Sequence, residues 1–176
     1  MMRIARYVLT ALLLVFIVFI YVGESTPSAS IEEVQQTFEA QAQAQDQENA
    51  AAQAEDPEAE VPESLLANMT LQDERNCERY LYIESSYYEG MLYWKSDYGM
   101  VADELFIARA TDEDAVTHIQ SCIEQRVADQ KEVFDGYAPD QAANVAAYTF
   151  ETRGLYVFYA VGDRSAKWKQ VFDGIQ

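Results

Sequence analysis

His118 is the only imidazole in the chain, and Cys77 and Cys122 are its only thiols. A zinc site built within one chain takes three or four ligands, so this stock excludes most His/Cys metal centres. A Ser-His-Asp triad would have to use His118 as its base. In a helical reading His118 falls opposite the apolar stripe, on the solvated face, where it is a poor catalytic base. The other chemistry-bearing groups are carboxylates. Asp103 and Glu104 head an apolar strand, and successive strand side chains point to opposite faces. They therefore cannot act as a facing acid/base pair. Their roles are structural or partner-binding, and with Tyr137 they form the candidate binding surface. Asp112-Glu113-Asp114 suggests a calcium loop but lacks its glycine and its closing bidentate Glu. Acidic residues in a first helical turn complement the macrodipole instead. These residues call for no cofactor, no metal and no catalytic centre.

Two readings of the cysteine pair stay open. On an oxidising side of a membrane, Cys77 and Cys122 are permitted a disulfide. Closing a loop of about 45 residues would contribute roughly 3–4 kcal/mol. Alternatively they are two small buried hydrophobes. Ten of the 12 tyrosines lie beyond residue 62. Aromatic strand residues pack cores and cross-strand pairs; a surplus on a solvated sheet face would bind glycan or peptide.

The elements that position these residues follow from charge and hydropathy. The 176-residue chain has 30 acidic and 12 basic residues, a net charge of −18. Phosphate binding needs clustered Lys and Arg, so a nucleic-acid partner is excluded. Ile4 to Val22 is apolar but for Arg6, which can snorkel, and spans about 28 Å, matching a bilayer core. Arg3 and Arg6 precede it, and no further Lys or Arg occurs until Arg75. The positive-inside rule leaves residues 1–3 as a cytoplasmic stub, makes 4–22 a transmembrane signal anchor in the lipid bilayer, and puts the rest outside. If the segment were instead cleaved as a signal, Ser28-Ala29-Ser30 would be the site and the product secreted. No cysteine lies near the end of the span to carry a lipid.

Residues 23–62 hold ten acidic residues, no basic ones, nine Ala and seven Gln. Ile31, Val34, Phe38 and Val61 are their only large apolar side chains. Such a composition predicts a disordered linker, spanning roughly 35 Å as a coil and at most transiently helical over 30–54, where Ala and Gln favour a helix. Ser30 with Glu33 resembles a capping box, a motif common by chance.

Residues 63–176 form the expected folded extracytoplasmic domain. A short helix runs through Leu65, Leu66 and Met69, and 77–83 is ambiguous between helix and strand. Strands are predicted over 89–95 and 101–109. A long helix starts at Asp112, carries Val116, Ile119, Ile123, Val127 and Phe134 as a stripe, and stops at Gly136. A short helix spans 139–144. Strands over 145–152 and 155–161 are joined by an Arg153-Gly154 turn, and a final helix begins at Asp163. The fold class is α+β: a four-stranded antiparallel sheet with two packed helices, strand-strand-helix repeated. FIARATDEDA (106–115) and VFYAVGDRSA (157–166) align at an offset of 51, as duplication or as two N-capping Asp residues.

Ala102-Asp103-Glu104-Leu105, the helix from Asp112 through Arg126, Phe134 to Gln141 (FDGYAPDQ) and Gly154-Leu155-Tyr156-Val157 carry a resemblance. In order and spacing, residues 101–172 resemble the domain-of-unknown-function family 4358. The resemblance implies a membrane-attached or lipoprotein-like protein of Firmicutes, with no assigned activity. The reading is a non-enzymatic, membrane-tethered module at the bacterial cell envelope, its partner an envelope protein or wall polymer. An envelope-glycan enzyme using acidic residues is the alternative.

Overall fold

The computed structural model describes residues 27–176. The expected stub and the transmembrane span over 4–22 lie outside them. Among the described residues no helix is long and apolar enough to cross a membrane.

The first described element departs from expectation. Ile31–Glu55 is a 25-residue helix, α1, within the stretch read as a disordered linker. Its capping box is closed: Ser30 Oγ accepts from Glu33 N at 3.2 Å, and Ser30 N donates to Glu33 Oε2 at 2.7 Å. Val34 and Phe38 are fully buried and Ala42 nearly so. Average composition hid this face, because three apolar residues at helical spacing suffice to dock one end of a helix. Beyond Ala42 no residue of α1 is buried.

A second difference is the strand count. The expected helix over 65–69 is a turn with Asn68 at φ 55°, leading into a short strand, β1 (Met69–Leu71). The ambiguous 77–83 stretch is helix α2 (Glu74–Leu81). Asp73 caps its start through Asn76 N at 2.8 Å, and Tyr82 ends it at φ 63°. Then come β2 (Tyr88–Ser96), β3 (Glu104–Ala110), α3 (Glu113–Asp135), α4 (Pro139–Ala146), β4 (Thr149–Arg153), β5 (Tyr156–Val161) and α5 (Ser165–Asp173). The sheet is antiparallel and five-stranded, in the order β1-β2-β3-β5-β4. Val145, expected in a strand, belongs to α4, and Gly154 makes the β4–β5 turn at φ 61°.

Helices cover both faces of the sheet. Tyr93, Phe106, Val157 and Tyr159 meet α2, α3 and α4, with Cys77, Leu81, Ile119 and Ile123 between them. Leu92, Trp94, Leu105, Ile107 and Phe158 meet α1 and α5 through Val34, Phe38, Trp168 and Phe172. Strand alternation sorts neighbours onto opposite faces, and all six residues of β5 are buried. Among the described residues the central strands are covered on both faces, so their tyrosines pack the core rather than a solvated face. Gly90 lets α1 approach: a Cβ there would come within 3.1 Å of the Ile31 side chain. The two strand-strand-helix passages also diverge. Asp112 caps α3 through Ala115 N at 2.7 Å, whereas Asp163 does not cap α5, which packs on the opposite face.

The stretch leading into α1 meets the C-terminal residue. Ala29 N donates to the Gln176 carbonyl at 3.2 Å, and Tyr156 Oη donates to the Ala29 carbonyl.

Candidate functional site

Glu104 begins β3 and points into the α3 side of the core, 1 % exposed. Arg126 reaches it with two bonds, Nη2 to Oε1 at 2.5 Å and Nε to Oε2 at 3.2 Å. Tyr93 Oη donates to Oε1 at 2.9 Å, and Tyr159 Oη lies 3.4 Å from both Oε2 and Gln130 Oε1. Burial by itself would lower the Arg126 pKa; its hydrogen bonds and attraction to Glu104 outweigh that and raise it. Burial, then the Glu104 charge, pushes the Tyr93 and Tyr159 hydroxyls up. The carboxylate thus has a bidentate guanidinium and two hydroxyl donors. This is the coordination of a structural ion pair.

Asp103 turns the other way, as strand alternation requires. Its Oδ2 accepts from Arg164 Nη2 at 2.8 Å. Arg164 Nη1 donates to the Ser64 and Ala67 carbonyls at 2.9 and 2.8 Å, binding the 64–67 turn to α5. Burial raises the Asp103 pKa, and Arg164 acts against it. Gly162, at φ +119°, lies against this carboxylate, and a Cβ there would collide with it. Arg153 caps the far end of α5 through the Phe172 and Ile175 carbonyls at 2.9 and 3.2 Å. Asp103 and Glu104 are therefore each committed to an arginine on opposite sides of the sheet. They do not join Tyr137, which is exposed and packs on Phe134, in a common surface.

Cys77 and Cys122 are free thiols, so the permitted disulfide is not formed. Burial, followed by the charges of Glu74, Cys122 and Glu78, raises the Cys77 thiol to about 12. Cys122 Sγ donates to the Tyr82 carbonyl at 3.3 Å and lies 3.5 Å from His118 Nε2. His118 is not on a bare solvated face: it stacks on Tyr87 at 3.8 Å between ring centroids. Among the described residues no group of three or more His, Cys, Asp or Glu could hold a metal ion.

A different set of residues leaves hydrogen-bonding capacity open. Between α1 and α5 runs a groove of about 430 Å³. Gln41 and Gln45 form one wall, Lys167 and Gln170 the other, and Leu65 and Val171 contribute its apolar lining. None of its lining residues is acidic, in a chain with 30 acidic residues. The side chains of Gln41, Gln170 and Lys167 have no protein partner among the described residues. Past Gln41, Gln45 and Leu65 a second space of about 560 Å³ opens between α1 and residues 60–62. There Asn49 Nδ2 donates to the Pro62 carbonyl at 2.8 Å, and Gln45 Nε2 to the Glu63 carbonyl at 3.3 Å. Residues reasoned from their chemistry thus serve as scaffold, while the free groups are amides of a kind sequence reading passes over. The Gln41, Gln45, Asn49 spacing of four was visible. The facing of α1 by α5, more than 120 residues on, was not.

Comparison with curated proteins and with solved structures gives no match. A family model does match: Domain of unknown function (DUF4358), over residues 62–162, more than half of the chain. The match begins earlier than the resemblance at 101–172 and stops before α5. It takes in the whole sheet with α2, α3 and α4; α1 and α5, on the other face, lie outside the matched stretch. With its five-stranded sheet and Glu104 ion pair inside the matched stretch, the chain belongs to the DUF4358 family.

Proposed function

We propose that this chain is a membrane-tethered, extracytoplasmic binding module of the cell envelope, without catalysis of its own. The α1/α5 groove carries the reading. It has a size common to ligand sites, and its walls hold unpartnered donors and acceptors. The alternative, a glycan hydrolase, needs two carboxyl groups facing one cleft. Asp103 and Glu104 are instead buried against separate arginines, which favours binding over hydrolysis. Anchoring rests on the apolar span over 4–22 and the charge asymmetry around it.

The folded body would ride close to the bilayer. Four residues lie between Val22 and Pro27, and the five Cα-to-Cα steps span at most about 18 Å of chain. The test reconstitutes the full chain in nanodiscs and exposes it to envelope extracts. Saturable retention of one envelope component is the expected result. Repeated retention of nothing above empty nanodiscs would defeat the proposal.

A further inference from the structure

We infer that the α1/α5 groove binds a short peptide backbone ending in a free carboxylate. This rests on the binding-module reading and gives that module its ligand class.

The molecule already uses the same row of amides in this way. Asn49 and Gln45, one helical turn apart on α1, each donate to a backbone carbonyl of the returning segment, Pro62 and Glu63. At Leu65 that segment leaves α1. Trp168 Nε1 takes the Leu65 carbonyl at 2.7 Å, and Arg164 takes those of Ser64 and Ala67. The row does not stop there. Gln41, one turn further, has no partner and opens into the groove. A carboxamide donates and accepts at once, which matches the N–H and C=O that every peptide unit presents. Gln170 offers the same pair of groups from α5.

Charge sets the end of the ligand. The groove holds no carboxylate and one unpaired cation, Lys167. A single negative charge is therefore complementary there, while an acidic or a basic ligand side chain elsewhere has no counterpart. The walls are also fixed in advance, because α1 is anchored by Val34 and Phe38 and α5 by Trp168 and Phe172, all fully buried. Preformed walls reduce the ordering cost of binding.

The experiment titrates the full chain in detergent micelles with N-acetyl-trialanine as the free acid, as its C-terminal amide, and with an N-acetylglucosamine tetramer. Side-chain amide resonances of Gln41 and Gln170 are followed by NMR. The free acid should shift both, and the C-terminal amide should bind at least about fivefold more weakly. Gln41→Ala and Lys167→Met should each weaken the free acid similarly, with melting unchanged. Gln36→Ala, exposed on α1 outside the groove, should not. No shift with the free acid into the ~10 mM range, or equal binding of acid and amide, would overturn the inference. So would tighter binding of the sugar. The two levels separate cleanly: an envelope component retained equally by Gln41→Ala and Lys167→Met removes the groove but leaves the module.

Discussion

Removing the guanidinium of Arg126 would strand Glu104 as a buried charge with only tyrosine hydroxyls beside it. Breaking one partner of a buried pair is far costlier than replacing both. Arg126→Met should therefore lose about 3–5 kcal/mol in denaturant unfolding. Adding Glu104→Gln should recover a large part, since its amide oxygen can still accept from Tyr93. Cys77 makes a second residue-level prediction. Its folded pKa of about 12 lies above the ordinary 9.0, so its contribution is whole below pH 9 and fades as pH rises through 12. The loss should be on the order of 4 kcal/mol across that window. Cys77→Ala should flatten that alkaline decline relative to the parent. An unchanged alkaline slope would place the titrating group elsewhere.

Among the elements, α1 changes the domain most. Phe38 is fully buried, with its ring 5.8 Å from Trp94, so Phe38→Ala should cost about 3–5 kcal/mol. Limited proteolysis should cut first in the exposed 56–61 return and spare residues 31–42, whose backbone is helical and docked. First cleavage within 31–42 would show that α1 does not stay on the sheet. On α3, Ile123 is fully buried, and Ile123→Ala should cost about 2–5 kcal/mol. His118→Ala should cost less, about 0.5–1.5 kcal/mol, the worth of its stack on Tyr87. A thermal melt of the two variants orders them. The α3 stripe was legible because one long amphipathic period survives averaging. The α1 stripe was not, because its three large apolar residues sit in a 40-residue stretch that is mostly polar or Ala.

For the whole molecule, the bond between Ala29 and the C-terminal Gln176 makes a prediction that a free tether would not. Gln176 is bonded to Ala29, so the C-terminus should stay near the bilayer rather than roam at the end of a coil. In the full chain reconstituted in vesicles, dyes at Ser28→Cys and Gln176→Cys should be quenched comparably by a lipid-phase quencher. Much weaker quenching at position 176 would mean the domain swings free. A reporter fused after Gln176 should be active only outside the membrane, as the Arg3 and Arg6 asymmetry requires.

What the sequence by itself determined is whatever short-range physics decides. The α3 period, the Gly136 stop, the Gly154 turn and the β2, β3 and β5 strands all follow from neighbours within a few residues. So does the opposite facing of Asp103 and Glu104. The family was legible too, because the order and spacing of several weak motifs carry it. Only the tertiary structure decided which carboxylate met which arginine, and that both faces of the sheet are covered. It also decided that Met69–Leu71 adds a fifth strand at the edge, and that a polar helix is held by Val34, Phe38 and Ala42. Each of these depends on a partner distant in the chain: Arg126 for Glu104, Arg164 for Asp103, Trp94 for Phe38. The groove is the extreme case. Gln41 and Gln170 are unremarkable surface amides until the sheet's bare face draws α1 and α5 side by side, and burial of apolar surface rather than local propensity places them there.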